Sequence, residues 1–327
     1  MADRCEADHT PQVSVLIVAY QSKALIERCI SALDQDARTT AIEILLLDNG
    51  DGETALYVAE RFPQVRIVPG QGNIGFARGN NVLACEARGE FLLLLNPDMF
   101  ARAGAIDALF AATQKYPDAA AWGGVTLDAN GTPDVGNAIA IPSLPEFVSA
   151  ALGKSLAGRA ISQDIDDDAQ VEVLSGGFVM ISRSAWARAD GFDNRFFLYC
   201  EEVDLFHRLR VAGFPLWRIA EARAEHALAH GNNLSPRRLL YRTAGIMTFI
   251  RKHWSRPRWI LGACLLWLAA MERYLAGRLL GRWKPHLAAL GEAYRHVALR
   301  PRLWFNGYER ENGLMERLAR GELDSGA

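Results

Sequence analysis

The chain has 327 residues, enough for one large domain with an appendage or for two smaller domains. Half of its residues are hydrophobic and 23% are charged, as in an ordinary globular protein. The five cysteines are scattered without a CxxC pair, which argues against a disulfide framework or a zinc knuckle and fits a reducing compartment. The N-terminal residues are polar and lack an apolar core, so we expect no secretory signal.

The net charge of −2 conceals an asymmetry between two parts of the chain. Residues 237–310 contain 15 Lys and Arg against 3 acidic residues, and the remainder contains 21 basic and 35 acidic residues. A basic C-terminal quarter behind an acidic body indicates a segment that seeks an anionic surface. The longest apolar run, Ile260 to Met271, stops at Glu272 and is shorter than the ~20 residues that span a bilayer. We therefore expect no transmembrane helix.

The first 127 residues alternate apolar runs with segments of helical spacing. The run Val13–Tyr20 is typical of a strand that is buried on both faces. Further strands are predicted at 42–47, 65–68, 91–95 and 121–127, and helices at 25–33, 55–62, from the segment 70–81 to about 87, and at 105–115. This alternation predicts an open, mainly parallel α/β sheet flanked by helices. Ligands bind such sheets beyond the carboxyl ends of the strands, where Asp48 and Asp98 lie.

Residues 128–170 are rich in Gly, Pro, Ser and acidic residues, and they are interpreted as a long excursion over the site. An apolar run follows at 178–181, then a half-buried helix at 203–211 and a last strand at 215–219. From Leu239 onward the sequence is predicted to be helical.

The stretch Ser175–Phe214 organises the rest of the chain. It contains two glycines, an aromatic cluster and three carboxylates, namely Gly176, Gly177, Phe196, Phe197, Tyr199, Glu201, Glu202 and Asp204. Acidic residues in a first helical turn are favoured by the helix dipole, so these carboxylates can be a simple cap. Alternatively, an apolar wall raises the pKa of one carboxyl and makes it a general base.

The glycine-rich segment from Gly70 to Gly79 differs from a dinucleotide fingerprint. Its glycines are not spaced as GxGxxG, and it follows the third strand instead of the first, which disfavours a dehydrogenase. The glycines are expected to let the backbone turn closely under a ligand, with Arg78 available to a phosphate.

Asp98 and His226 offer the oxygen and imidazole ligands that suit Mg²⁺ or Mn²⁺ on a diphosphate. The bland alternatives are a turn-forming Asp and a structural His, and His230 is an equally available imidazole.

Five of the eight tryptophans lie in the C-terminal quarter, at Trp254, Trp259, Trp267, Trp283 and Trp304. Tryptophan and arginine interleaved on amphipathic helices suit an anionic membrane interface. A helical subdomain that packs these indoles against the core fits the pattern equally well. A nucleic-acid partner is disfavoured because no recognised reading module accompanies the basic residues.

Five segments in this order resemble the family 2 glycosyltransferases with the GT-A fold, especially bacterial rhamnosyltransferase-like members. They are VSVLIVAYQS, LLLDNG, NIGFARGNN, LLLLNPD and the stretch Ser175–Phe214. The resemblance extends from Val13 to about Ser235. It implies a GT-A catalytic domain at 1–236, with a nucleotide-sugar half at about 12–127 and an acceptor half at about 170–236. The basic, Trp-rich region at 237–327 then forms a C-terminal helical extension.

The resemblance implies inverting transfer of a sugar from a nucleoside diphosphate to a hydroxyl. Asp48 would contact the nucleotide base or ribose, and Asp98 would hold Mg²⁺ or Mn²⁺ with His226. Glu202 falls at the base position, Glu201 is its structural neighbour, and Asp204 would support either the helix start or the acceptor. The remaining substrate-binding residues would be Tyr20, Asn73, Gly75, Arg78, Asn96, Gly176 and Gly177.

Three departures from the family pattern stand out. The base position holds Glu where Asp is usual, only one aspartate stands in Asn96-Pro97-Asp98, and the segment after Asp48 lacks the usual serine. The first two departures support an alternative function, a non-catalytic nucleotide-sugar-binding scaffold of a polysaccharide assembly complex.

The expected donor is dTDP-rhamnose, with UDP-sugars next, and the expected acceptor is a glycan or a lipid-linked glycan. We expect a cytoplasmic enzyme, peripheral at the inner face of a bacterial membrane.

Overall fold

The structure, a computed structural model, describes residues 10–36, 39–134, 137, 139–154, 165–227 and 235–323. Its strands are β1 (Val13–Ala19), β2 (Ile42–Asp48), β3 (Val65–Val68), β4 (Phe91–Leu95), β5 (Met99–Ala101), β6 (Ala121–Leu127), β7 (Ala169–Gln170), β8 (Phe178–Ser182) and β9 (Leu216–His226). Its helices are α1 (Lys23–Asp36), α2 (Glu53–Arg61), α3 (Phe76–Glu86), α4 (Ala105–Lys115), α5 (Leu144–Ala151), α6 (Arg183–Arg188), α7 (Glu201–Val211), α8 (Pro236–His253), α9 (Arg256–Leu280), α10 (Pro285–Leu299), α11 (Pro301–Trp304) and α12 (Leu314–Ala319).

The strands form one mixed sheet in the order β3-β2-β1-β4-β8-β6-β9-β5, with β7 also paired to β9. The strands β3, β2, β1 and β4 are parallel. β8 is antiparallel to both β4 and β6, β9 is parallel to β6, and β5 is antiparallel to β9. The predicted mainly parallel α/β sheet flanked by helices is thereby confirmed.

Each face of the sheet is covered by its own apolar cluster. Because side chains alternate along a strand, Val15 and Ile17 pack on one face with α1 and α4, and Leu16 and Val18 pack on the other. This burial on both faces explains why the parallel strands are continuous apolar runs. The second cluster includes residues of α7 and extends into α8, α9 and α10.

Two parts of the chain differ from the sequence-based expectation. The strand predicted at 215–219 continues to His226, where β9 pairs with the unpredicted three-residue strand β5. Within the expected excursion at 128–170, the structure describes α5, which begins with a capping box of Ser143 and Glu146. α5 buries Phe147 and packs against α9. Of the acidic residues in this segment, Asp164 lies outside the described residues, whereas Asp168 accepts from Lys115 Nζ at 2.8 Å and from Ala220 N at 2.9 Å.

The predicted C-terminal helices are present, and α8 packs against α7, α9, α10 and α11. α9 and α10 approach each other closely where Gly277 meets Gly291, since a Cβ added to Gly277 would lie 2.6 Å from the Gly291 Cα. The proposed boundary at 236/237 coincides with the first residues of α8.

α9 is long and apolar enough to cross a membrane by length and composition, and 33% of its most apolar window is buried in the structure. Its exposed apolar side chains are Ile260, Leu261, Trp267, Leu268, Leu275, Leu279 and Leu280.

Candidate active site

A cleft of about 400 Å³ opens at the carboxyl end of β2. Asp48 lines it and is fixed by two backbone donors, because its Oδ1 accepts from Gly50 N at 2.7 Å and its Oδ2 from Ala55 N at 3.1 Å. Tyr20 follows β1 and is 54% exposed. The volume falls within the range of small-molecule sites.

The glycine-rich segment connects this cleft to the loop at residue 197. Gly75 has φ of +87°, and a Cβ there would lie 2.6 Å from the Phe197 oxygen, so only glycine fits without displacement. Phe76 N donates to that same oxygen at 2.8 Å. Asn73 Oδ1 accepts from Gly75 N at 3.3 Å, which shapes the turn from inside. The segment is thus a close-packed turn.

Arg78, expected to be available to a phosphate, contacts the polypeptide. Its Nε donates to the Asn194 carbonyl oxygen at 3.0 Å. The side chain therefore links α3 to the loop before α7.

Gly176 and Gly177 form the floor between β4 and α7. Gly177 O accepts from Asn96 N at 2.9 Å, and a Cβ on Gly177 would lie 3.0 Å from the Asn96 side chain. A Cβ on Gly176 would lie 3.4 Å from the Glu202 Cβ. The glycine pair therefore lies between the end of β4 and Glu202. Asp98 follows two residues after Asn96.

The antiparallel pairing of β5 with β9 brings Asp98 beside His226. Asp98 Oδ2 lies 3.2 Å from His226 Nε2, and the other ring nitrogen, Nδ1, is hydrogen-bonded to the Asp134 carboxylate. Burial acts to lower the pKa of His226, but the carboxylates of Asp134 and Asp98 outweigh it and raise the pKa to about 9. Sequence reasoning missed Asp134, since nothing local marks it as a partner of a histidine 92 residues away.

The residues at this point fit a divalent cation. Mg²⁺ takes octahedral ligands at about 2.0–2.1 Å, so adjacent ligand atoms are roughly 3 Å apart, close to the separation of Asp98 Oδ2 and His226 Nε2. The carboxylate of Asp134 orients the ring as outer-sphere partners of ligating histidines do. No group of three His, Cys, Asp or Glu side chains that could hold a metal is found in the described ranges. Two protein ligands match cations that bind mainly through substrate phosphates and water. His230 lies outside the described residues.

Glu201 and Glu202 begin α7 after two residues in the left-handed region, Tyr199 and Cys200, each with φ of +69°. Glu201 is 4% exposed. Among the described residues, the Oε2 atoms of both glutamates are buried without a hydrogen-bond partner. Burial raises the pKa of both carboxyls, and the neighbouring charge of Glu202 raises that of Glu201 further. A buried, unpaired carboxyl with a raised pKa is suited to proton transfer.

Asp204 has a different environment. Its side chain is fully buried and contacts three basic groups, with Arg208 Nε at 2.8 Å, Lys252 Nζ at 2.8 Å and His253 Nε2 at 2.7 Å. Burial acts to raise its pKa, but these partners lower it below the ordinary value. The geometry favours the structural alternative for Asp204, which joins α7 to α8.

Comparisons with known proteins identify the family of this chain. The profile of the family described as Glycosyl transferase family 2 matches residues 14–187. The N-acetylglucosaminyl-diphospho-decaprenol L-rhamnosyltransferase of Mycobacterium tuberculosis is 30% identical over 246 residues, which cover 69% of this chain and 80% of that protein. Rhamnosyltransferase WbbL of Escherichia coli is 25% identical over 232 residues, covering 67% and 85%.

Two solved structures share the fold. The mannosyltransferase PcManGT from Pyrobaculum calidifontis, in complex with GDP-Man and Mn²⁺, aligns with a TM-score of 0.55 at 16% identity and covers 98% of this chain and 89% of its own. A crystal structure of GalNAc-T7 with UDP, GalNAc and Mn²⁺ has a TM-score of 0.56 at 13% identity, and the match covers 97% of this chain and 58% of that one. Because the family profile matches more than half of the chain and a relative reaches 30% identity over two thirds of it, this chain belongs to the family 2 glycosyltransferases.

Proposed function

We propose that this glycosyltransferase moves rhamnose from a nucleoside diphosphate, preferably dTDP, to a hydroxyl of a lipid-linked glycan with inversion at the anomeric carbon. Its relatives support the sugar, since both are named as rhamnosyltransferases, and one is named for a diphospho-decaprenol acceptor. UDP-sugars are the next candidate donors.

The observation that carries the proposal is the buried, unpaired Oε2 atom of Glu202, whose side chain lies beside Gly176. In an inverting transfer, the acceptor oxygen forms a bond to the anomeric carbon while the bond to the diphosphate breaks on the opposite face. Glu202 receives the proton of the acceptor hydroxyl, and burial raises the pKa of this carboxyl toward the operating pH. Because Glu202 is one methylene longer than Asp, the hydroxyl is expected to lie correspondingly further from the backbone of α7.

The donor would occupy the carboxyl edge of the parallel strands. Asp48 and the cleft beside it would bind the nucleoside, and Asp98 with His226 would hold Mg²⁺ or Mn²⁺. When bound there, the cation supplies positive charge that stabilises the departing nucleoside diphosphate. Gly176 and Gly177 pack closely between Asn96 and Glu202, and the sugar would lie over the backbone of these glycines.

We further propose that the enzyme lies on the cytoplasmic face of a membrane with α9 in the interface. Arginines accompany the exposed apolar side chains of α9: Arg256 and Arg258 precede them, Arg278 lies between Leu275 and Leu279, and Arg282 follows them. Such a combination of apolar and basic groups suits an anionic lipid surface.

The first test is sugar transfer from a panel of nucleotide sugars with Mn²⁺ to a glycan-diphospho-lipid, comparing wild type with Glu202→Gln and Asp98→Asn. Loss of the base should lower kcat by about 10²–10⁴-fold without weakening binding of the nucleoside diphosphate. Asp98→Asn should instead weaken Mn²⁺-dependent binding of the nucleoside diphosphate, measured by calorimetry.

Glu60→Gln, on the exposed surface of α2, is the matched control and should retain full activity. If the wild type binds a nucleoside diphosphate but turns over no donor in the presence of the lipid acceptor, the enzyme proposal is wrong. That result would favour the non-catalytic scaffold.

A further inference from the structure

α8 covers the loop that leads into the proposed base. Arg238 Nε donates to Tyr199 Oη at 2.8 Å, and the rings of Tyr241 and Phe197 stack with centroids 5.8 Å apart. A Cβ on Gly245 would lie 2.3 Å from the Tyr199 oxygen, so the helix backbone directly contacts this loop. One face of α8 is therefore a wall of the site on the α7 side.

Arg242 lies on this part of α8, one turn after Arg238 and one residue after Tyr241. Its side chain is exposed, and within the part of the chain that the structure describes it has no hydrogen bond or ion pair. Its charge nevertheless reaches the base, since Arg242 lowers the pKa of Glu202 against the raising effect of burial. Gly245, three residues further along α8, lies against Tyr199 and Cys200, so Arg242 stands on the part of this helix that borders the start of α7.

This arginine is separate from the groups proposed for the donor. The donor diphosphate is assigned to Asp98 and His226, which lie across Gly176 and Gly177 from α7. The acceptor hydroxyl must reach Glu202, so whatever the acceptor carries next to its first sugar lies beside α8. An anionic group at that place meets the guanidinium groups of Arg242 and Arg238.

We propose that Arg242, assisted by Arg238, forms an acceptor-side subsite for the diphosphate of a lipid-linked acceptor. This inference rests on the proposed function and specifies how the enzyme selects its acceptor. A guanidinium donates two parallel hydrogen bonds to phosphate oxygens, which gives both strength and orientation. In an acceptor with one sugar on its diphosphate, the reacting hydroxyl and the diphosphate are separated by a single ring, so both contacts can form together.

The direct test is binding of farnesyl diphosphate by calorimetry, with a saturating nucleoside diphosphate and Mn²⁺ present to block the donor site. Farnesol controls for the apolar tail, and inorganic pyrophosphate tests whether the diphosphate alone is recognised. Arg242→Gln should weaken farnesyl diphosphate binding about tenfold, and Arg242→Lys should have an intermediate effect because the fork is lost but the charge remains. Arg61→Gln is the matched control, since Arg61 is an exposed arginine at the end of α2, where it pairs with Glu27.

A kinetic arm uses two acceptors with the same sugar, one on a lipid diphosphate and one as an alkyl glycoside. Arg242→Gln should lower kcat/KM about tenfold more for the diphosphate acceptor than for the glycoside, because any effect of the lost charge on Glu202 is common to both acceptors. The subsite would be overturned if Arg242→Gln bound farnesyl diphosphate with the affinity of the wild type. An equal loss of kcat/KM for the two acceptors would overturn it as well. If the wild type transfers no sugar yet binds farnesyl diphosphate through Arg242, the proposed function fails and the subsite stands.

Discussion

Glu201 and Glu202 are chemically identical neighbours, and the register of α7 separates their positions. Consecutive helical residues point about 100° apart, so one carboxylate can face the site while the other faces the interior. The Cβ of Glu202 lies against Gly176, whereas Glu201 is 4% exposed and its charge raises the pKa of the buried Tyr308 hydroxyl. This asymmetry supports Glu202 as the base and Glu201 as a structural neighbour.

At the residue scale, the sequence predicted where several candidate side chains lie better than what they contact. The carboxylates of α7 were expected at a helix start and Asp48 at a strand end, and the structure places them there, whereas His226 was expected beyond the last strand and instead ends β9. Asp134 and Arg242 carried no comparable signal, because their importance comes from contacts between distant parts of the chain. Arg78 was expected at a phosphate because an arginine in a glycine-rich segment has that chemistry, whereas its actual bond to Asn194 depends on tertiary packing.

Asp204 provides a test of stability at the residue scale. Asp204→Asn leaves Arg208, Lys252 and His253 with a neutral partner at a fully buried position, so it should lower the free energy of unfolding by about 3 kcal/mol at pH 7. Because the folded-state pKa of Asp204 is lowered, its stabilisation is complete above the unfolded value of about 3.9 and is lost as pH falls through the folded-state pKa. The deficit of the variant should therefore be constant between pH 7 and pH 5 and should close only in strong acid.

Urea unfolding at each pH measures this difference. Glu292→Gln is the control, since its ion pair with Arg295 is exposed and should contribute less than about 1 kcal/mol. An Asp204→Asn variant as stable as wild type at pH 7 would show that the buried network contributes nothing.

At the scale of elements, the long strands were predictable and the short ones were not. The runs that became β1, β4 and β6 are apolar on both faces, and this pattern identifies a buried strand without any knowledge of its neighbours. β5 has three residues and no periodicity, and it exists because β9 supplies its partner. That pairing also brings Asp98 to His226, so the candidate metal site depended on an element that local pattern cannot reveal.

The contact between α8 and the base loop depends on Gly245. In Gly245→Ala the new Cβ would lie 2.3 Å from the Tyr199 oxygen, and because this atom is backbone, the helix or the loop must move. We expect a loss of about 1–3 kcal/mol of stability from overpacking. Displacement of Glu202 should also lower kcat by about tenfold or more, with little change in the KM for the donor.

Steady-state kinetics and urea unfolding measure both effects. The control is Gly262→Ala on α9, whose added Cβ would meet only side-chain atoms, the nearest being Trp254 at 3.0 Å. This control should keep its kcat. Full kcat in Gly245→Ala would mean that α8 does not position the base.

At the scale of the whole molecule, charge and apolar exposure coincide on one region. The 15 basic residues of 237–310 follow a body with an excess of acidic residues, and most of the large hydrophobic side chains exposed on α8–α12 lie on α9. Leu261, Leu268 and Leu275 recur every seven residues, so they lie along one face of the helix. The sequence left open whether the tryptophans face a membrane or the core. In the structure some are buried and some are exposed, since Trp304 is 1% exposed and Trp283 is 62% exposed.

The proposed membrane contact is tested by placing charge on this face without disturbing the core. Leu268 and Leu279 are 48% and 67% exposed, so Leu268→Glu with Leu279→Glu should leave the unfolding free energy nearly unchanged. The same pair should reduce co-sedimentation with anionic vesicles about tenfold or more, because two apolar contacts are lost and two negative charges face the lipid.

Val211→Glu is the matched control. Val211 is 76% exposed at the end of α7, so this substitution should have no effect on co-sedimentation. Raising the ionic strength should weaken wild-type binding only in part, because the apolar contact is not screened by salt. Equal sedimentation of the double variant and wild type would show that α9 does not contact the lipid, and the acceptor would then have to reach Glu202 without help from this helix.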